Sequence, residues 1–307
     1  MNVKNLLEES ITRINSFSDT PQLDAQVLLA HIIGKPRTWI ISHLEVEITP
    51  KEQGRFNVAL IKLEAGEPLA YILGKWGFFG VEFDITKDVL IPRPETELLV
   101  EKAIAWLQAH PEKRTIADIG TGSGAIAVSI ALNVPHAQIL ATDISSTALR
   151  VAKRNAQKFN IHHQIEFAEC DLLPHPFSPL PMGEGLGVRE FDLLCANLPY
   201  IPTQTMRRLP IYGREPTLAL DGGSDGFDLY RRLFKLIPDW LAPHGMILLE
   251  VESSLGAQTM DLASKFFPNA EINLYQDLAG KDRLLEIKLH SLREYVTHLR
   301  HIRMISK

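Results

Sequence analysis

Cysteine is nearly absent, with Cys170 and Cys195 the only two in 307 residues. Two thiols make neither a disulfide framework nor a metal-ligand cluster. Both lie in strand-like apolar runs, so they are expected to be buried and inert, and no metal is expected. No stretch approaches the roughly 18 consecutive apolar residues of a membrane span. The opening Met1–Glu9 is acidic early and lacks the basic and apolar regions of a signal peptide. The expected location is the cytoplasm. An excess of positive charge is also missing. The formal net charge is −5, which argues against a large nucleic-acid footprint and so against direct nucleic-acid binding.

The charge that is present is uneven. From His290 to Lys307 four basic residues (Arg293, Arg300, Arg303, Lys307) face one acid, Glu294. Within that tail Leu292, Val296, Leu299 and Ile302 recur at helical spacing. It suits a helix packed on the domain, a frayed end, or contact with a ribosomal or acidic partner.

At this length, and 45% hydrophobic, the chain can bury a sizeable core and is expected to hold two domains. Residues 1–75 read as helical. Leu7, Ile11 and Ile14 form one apolar stripe, and Thr20-Pro21 caps and opens a second helix carrying Ala25, Leu28, Leu29 and Ile32. Thr49-Pro50-Lys51-Glu52 is a capping-box pattern for a third, with Phe56, Leu60 and Leu63 on one face. Residues 76–90 switch to a period of two and suggest a β-hairpin linker. Ile91-Pro92-Arg93-Pro94 then stops the strand and starts a helix.

Residues 91–290 alternate strand and helix. The expected strands are Thr115–Gly120, Gln138–Ile144, Ile165–Asp171, Phe191–Asn197 and Met246–Glu252. Two more, Glu271–Asp277 and Arg283–Leu289, are separated by only five residues, which permits an antiparallel hairpin but no helical crossover. The fold class is therefore α/β, a seven-stranded doubly wound Rossmann-like sheet behind an N-terminal helical bundle. Pro174–Gly187 breaks the rhythm with proline and glycine. It reads as a flexible surface insertion, with a substrate lid as the alternative.

Two motifs carry chemistry. Gly120-Thr121-Gly122-Ser123-Gly124 follows a strand and precedes the helical run from Ala125, so backbone can pass close to a ligand. With Ala125 the segment also satisfies the dinucleotide fingerprint. The acids at the strand ends separate the two ligands. Asp143 ends the second strand, where a carboxylate can accept both ribose hydroxyls, and Asp171 ends the third, where it can accept from an adenine amino group. This series favours S-adenosylmethionine over a nicotinamide dinucleotide.

The second motif is Asn197-Leu198-Pro199-Tyr200, after the apolar run 191–196. An amide nitrogen is a poor nucleophile because its lone pair is delocalised. A site that accepts both of its N–H groups can nevertheless aim it at a methyl carbon. The Asn197 side-chain oxygen can accept one N–H and the Leu198 carbonyl the other. Pro199 stiffens the loop and Tyr200 can stack on a flat substrate group. Methyl transfer to a nitrogen is the expected reaction.

Five strings together resemble the family of bacterial enzymes that methylate the glutamine of peptide chain release factors. They are residues 89–97 (Val-Leu-Ile-Pro-Arg-Pro-Glu-Thr-Glu), 118–124, 197–200, 215–220 and 277–283, within a resemblance spanning residues 70–289. The Pro-Arg-Pro-Glu-Thr-Glu string discriminates best, since relatives that modify a ribosomal protein differ there. The resemblance implies S-adenosylmethionine contacts at Gly120–Gly124, Asp143, Asp171, Leu172 and Asn197. It implies glutamine contacts at Asn197 to Tyr200, with Arg93 also on the substrate side, and a helical domain that recognises the release factor.

The chain departs from that pattern in places. The family usually has Asn-Pro-Pro-Tyr, whereas position 198 is leucine. Asn-Leu-Pro-Tyr is typical of enzymes that dimethylate ribosomal RNA adenines, but those carry their helical domain after the sheet and lack the Pro-Arg-Pro-Glu-Thr-Glu string. The Tyr212–Pro216 spacing also differs, which leaves Glu215 without a defined role. The 174–187 insertion and the 291–307 tail look additional. A protein that binds S-adenosylmethionine without transferring the methyl is the non-catalytic alternative.

Overall fold

The computed structural model describes residues 1–174 and 190–289; residues 175–187 of the insertion and the basic tail from 290 lie outside them. The chain divides into two compact units, Met1–Trp76 and Gly77–Lys307.

The first unit contains α1 (Val3–Ile14), α2 (Pro21–Ile33), α3 (Arg37–Ser42), α4 (Pro50–Glu64) and α5 (Leu69–Leu73). Its core is the set of apolar stripes turned inward: Leu6, Ile14, Leu28, Leu29, Phe56 and Leu60 are buried together. The capping box at α4 is complete. Glu52 N donates to Thr49 Oγ1 (3.2 Å), and the Glu52 carboxylate accepts from Thr49 N (3.0 Å). The Thr49 hydroxyl, which donates to the same carboxylate (2.6 Å), and then the Thr49 N–H hold the Glu52 carboxyl below its ordinary range. At α2 the expectation needs correcting. Pro21 does occupy the first turn, but Thr20 makes no capping bond to the backbone and turns its hydroxyl to the Asp24 carboxylate instead (3.2 Å). The short helices α3 and α5 were not visible as patterns because each offers too few turns to show a period.

The strands β1 (Lys75–Phe78) and β2 (Val81–Asp84) form a separate two-stranded sheet. The boundary between the units falls inside β1. Residues 85–93 carry no strand, so the hairpin is shorter than the alternating pattern suggested. Phe83 packs its ring edge on Phe159, and Asp84 N donates to Asn155 Oδ1 (2.8 Å).

The second unit continues with α6 (Glu97–Ala109), β3 (Thr115–Ile119), α7 (Ala125–Asn133), β4 (Gln138–Asp143), α8 (Ser146–Lys158), β5 (Ile165–Glu169), β6 (Phe191–Ala196), α9 (Thr203–Met206), α10 (Asp228–Leu236), β7 (Leu241–Glu250), α11 (Gly256–Phe266), β8 (Glu271–Gln276) and β9 (Asp282–Lys288). The sheet order is β5-β4-β3-β6-β7-β9-β8. The first five strands in space run parallel, and β9 is antiparallel to both β7 and β8. Ile116, Ala117, Ile119, Leu193, Leu194 and Cys195 are fully buried, as expected of strands covered on both faces.

All seven expected strands are present, within a residue or two except at β7. That strand starts at Leu241, five residues before Met246, because the Pro243-His244-Gly245 segment that reads as a turn is carried within it. His244 takes a left-handed φ of 60° there, and the pairing with β6 shifts register between Phe191 and Leu193. The strand order reverses beside β3: the chain moves out to β4 and β5, then returns to place β6 on β3's other side. The crevice at the carboxyl ends of β3 and β6 is where open α/β sheets bind ligands.

Replacing Thr49 by alanine removes one half of the capping box. It is expected to destabilise the helical unit by about 1 kcal/mol, read as a lower denaturant midpoint with an unchanged slope.

Candidate active site

The loop after β3 is shaped by backbone that only glycine adopts easily. Gly120, Gly122 and Gly124 have φ of 72°, 55° and 81°. A Cβ on Gly124 would sit 3.2 Å from the Ala152 Cβ, so this glycine is what lets α8 approach the loop. Beneath the loop Asp118 is fully buried. Its Oδ2 accepts from Thr121 Oγ1 (2.6 Å) and Ala127 N (3.1 Å), and burial pushes its carboxyl up to about 6.

An open cleft lies over this edge, and its wall includes Gly120, Gly122, Asp143, Asp171, Leu172, Asn197, Leu198 and Pro199. Thr121 and Ser123 are not on that wall; both side chains are buried, Thr121 bonded to Asp118. Gly124 faces α8 rather than the cleft. The Asp143 carboxylate accepts from Gly122 N (2.9 Å) and Ser145 N (2.9 Å), and burial holds its carboxyl above the ordinary range despite those bonds. Asp171 pairs with Arg232. Leu172 turns the corner with φ 64° and accepts from Thr142 Oγ1 (2.6 Å) through its carbonyl.

The charges decide which ligand fits. Asp88, Asp143 and Asp171 line the cleft against one guanidinium, Arg232, and that one is already paired. The loop N–H of Gly122, which would otherwise face a pyrophosphate, is taken by the Asp143 carboxylate. A dinucleotide's two phosphates would meet repulsion here. A ligand with hydroxyls to donate and a cationic sulfonium meets acceptors and negative potential. The residues present fit S-adenosylmethionine.

At the end of β6, Asn197 and Leu198 stand opposite the glycine loop. The Leu198 side chain is 3% exposed and belongs to the sheet's core, its Cδ2 lying 3.7 Å from where a Gly120 Cβ would be. The leucine at this position therefore fills core volume. Asn197 Nδ2 donates to Thr96 Oγ1 (3.1 Å), and Thr96 Oγ1 donates to Glu250 Oε2 (2.5 Å). The Tyr200 hydroxyl donates to Glu250 Oε1 (3.4 Å). Tyr200 is half-buried and off the cleft wall, its hydroxyl held above the ordinary range by burial and by Glu250. Arg93 is also off the wall. It forms an ion pair of 2.6 Å with Glu215, whose Oε2 accepts from Ile91 N (3.1 Å).

Neither thiol takes part. Cys195 is fully buried, whereas Cys170, expected to be buried, is half-exposed just past β5; burial and nearby carboxylates still push its thiol up to about 11.

The sequence pattern missed Thr96, Glu250, Arg232 and the turn after Leu220. Thr96 lies inside the Pro-Arg-Pro-Glu-Thr-Glu string, where nothing local marks its hydroxyl as part of the site. Glu250 ends β7 as Asp143 ends β4, so its place at a strand end was a usable signal. Gly222 gave none. A Cβ there would lie 2.7 Å from the Tyr200 carbonyl carbon, a proximity set by a loop twenty residues on.

A doubly wound sheet of this order, with an acidic cleft and an amide motif at its switch point, belongs to the methyltransferases that use S-adenosylmethionine. Comparison with known sequences agrees: residues 94–177 match the methyltransferase small domain model, and residues 5–74 match the PrmC N-terminal domain model. The release factor glutamine methyltransferase of Moorella thermoacetica is 40% identical over 285 residues, 92% of this chain and 97% of that protein. The enzyme of the same name from Bordetella pertussis is 37% identical, covering 86% and 93%. The chain belongs to the release factor glutamine methyltransferase family. Among solved structures, the release factor-specific protein-(glutamine-N5) methyltransferase of Alicyclobacillus acidocaldarius is 28% identical, covering 67% of this chain and 99% of that one at a TM-score of 0.40.

Gly222→Ala is expected to push the Tyr200 backbone out of place and to destabilise the sheet unit by about 1–3 kcal/mol, measured by chemical denaturation.

Proposed function

We propose that this protein transfers the methyl group of S-adenosylmethionine to the side-chain amide nitrogen of the glutamine in the Gly-Gly-Gln loop of peptide chain release factors. The observation that carries the reading is the Asn197 amide on the wall of an acidic cleft, its nitrogen tied back to Thr96. Its oxygen is left as the acceptor for a substrate N–H. S-adenosylmethionine supplies a methyl on a positively charged sulfur, so the protein's work is positioning and exclusion of water. Asn197 Oδ1 and the Leu198 carbonyl accept the two N–H groups and keep the nitrogen aimed into the cleft. Pro199 restricts the turn, and Tyr200, off the cleft wall, anchors the end of the motif through its hydroxyl on Glu250. Asp143 accepts the cofactor's ribose hydroxyls while bracing the glycine loop, and Asp171 with Leu172 borders the adenine end.

The helical unit is proposed to hold the protein substrate. Val58 and Ile61 on α4 are 59% and 58% exposed, apolar surface that a protein partner can cover. Activity on release factors places the enzyme in the cytoplasm. No helix among the described residues is long and apolar enough to cross a membrane.

Mass spectrometry of release factor incubated with enzyme and S-adenosylmethionine is expected to find one added methyl on that glutamine. An unmodified release factor beside methylated ribosomal RNA would replace this reading with the adenine one. Cofactor binding without transfer to either would make the protein a non-catalytic binder.

Asn197→Ala is expected to lower kcat by about 10²–10³-fold, the scale of losing one preorganised hydrogen bond at a reacting group, while cofactor affinity holds. Asp143→Ala should instead weaken cofactor binding by roughly 1.5–3 kcal/mol, as for loss of charged hydrogen bonds. Calorimetry on both variants checks the division, and equal losses of affinity would refute it.

A further inference from the structure

We propose that Thr96 and Glu250 are positioning residues that fix which end of the Asn197 amide faces the substrate, and so make the site selective for an N–H donor. The inference deepens the functional reading above and rests on it. A threonine hydroxyl has one proton to donate, and an ionised carboxylate has none. Thr96 Oγ1 lies 2.5 Å from Glu250 Oε2, so the hydroxyl proton goes to the carboxylate. What Thr96 then offers Asn197 is a lone pair, and only the amide's Nδ2 can answer it, at 3.1 Å. Oδ1 is thereby committed to the cleft side. The other carboxylate oxygen, Oε1, accepts from the Tyr200 hydroxyl (3.4 Å), so one buried carboxylate orients both ends of the Asn197–Tyr200 motif. Glu250 is itself held: its carbonyl accepts from the Tyr230 hydroxyl at 2.5 Å, and its strand is paired with Leu284 of β9.

The arrangement depends on Glu250 being ionised. Once protonated, the carboxyl can donate to Thr96, whose own proton is then free to turn toward Asn197. The amide loses its reason to point one way, and a flipped Asn197 would present N–H to N–H. Burial pushes the Glu250 carboxyl up to about 7, within reach of ordinary assay conditions. The groups facing it act in both directions. Glu95 raises it further, while Arg283 and the Thr96 and Tyr200 hydroxyls lower it. Glu95 is itself drawn to Arg283 (3.6 Å), which also pairs with Asp277 (2.9 Å), and Arg93 is engaged by Glu215. Glu250 thus relies on hydroxyls more than on a cation. With the ionised form active, the rate should rise with pH through the Glu250 range.

The test measures release factor methylation across pH 5.5–9 for the wild type, Thr96→Val, Thr96→Ser and Glu250→Gln. Affinity for S-adenosylhomocysteine is measured alongside, to show that each variant folds. Thr96→Val keeps the shape and removes the relay; kcat should fall by about 10–100-fold, the scale of a small misplacement at a reacting centre, with cofactor affinity unchanged. Thr96→Ser should recover most of the rate. Glu250→Gln should lose the acid-side inflection that the wild type shows. Independently of any substrate, the side-chain amide resonance of Asn197 should shift with a midpoint near that inflection and stop doing so in Thr96→Val.

A Thr96→Val enzyme with wild-type kcat and pH profile, or an Asn197 resonance indifferent to pH, overturns the relay while leaving the assigned reaction standing. A wild type that binds S-adenosylhomocysteine, shows the Asn197 titration and methylates no release factor overturns the reaction and leaves the relay.

Discussion

Everything at this site depends on β6 lying in parallel register against β3. The pairs Asp118↔Cys195 and Ile119↔Ala196 bring the two strands to their ends together, so the residues that follow, Gly120 and Asn197, leave the sheet side by side. The ligand loop and the amide motif are 77 positions apart in sequence, and no local preference could join them. A slip of one residue would turn the core set Leu193, Leu194 and Cys195 over and carry Asn197 away from the cleft. The Leu198 side chain, seated beneath Gly120, fixes the exit from the strand.

The site is supported by polar groups handled in two different ways. The carboxylates of Asp118 and Glu250 are buried and answered by hydroxyls: Thr121 for the first, Thr96 and Tyr200 for the second. Burying a charge is expensive unless hydrogen bonds replace its water, and both carboxyls are correspondingly displaced upward. Ion pairs do a different task, tying segments of the chain together. Arg93 joins Glu215, Arg283 joins Glu95 and Asp277, and Arg232 joins Asp171. The strings that carried the family resemblance are therefore wired to one another. Residues 89–97 touch 215 through Arg93 and Ile91, 197 through Thr96, and 283 through Glu95.

The leucine at position 198 shows how a departure from a family pattern can be absorbed. A position that works through its carbonyl can change its side chain if the new one finds a place. Here leucine finds one in the sheet's core. Its side chain is taken up in packing, so the carbonyl on which the proposed role depends is left to the backbone.

The chain's own pattern settled the alternation of strands and helices in the sheet unit, because continuous apolar runs bounded by glycine and proline leave little choice of element. It settled the capping box at Thr49 and the glycine loop, both of which act within a few residues. Asp143 could be placed at the end of β4, and Asn197 at the edge, from position alone, whereas Asp171, expected to end its strand, lies two residues past β5, which closes at Glu169. Their partners could not be read. That Asp143 braces Gly122, that Asp171 is held by Arg232, and that Arg93 answers Glu215 rather than the cleft all follow from contacts across 21 to 122 residues. The orientation of the Asn197 amide was decided only by the fold. It rests on a threonine 101 positions upstream and a glutamate at the end of another strand, and a side chain's direction is set by whatever packing brings within hydrogen-bond reach.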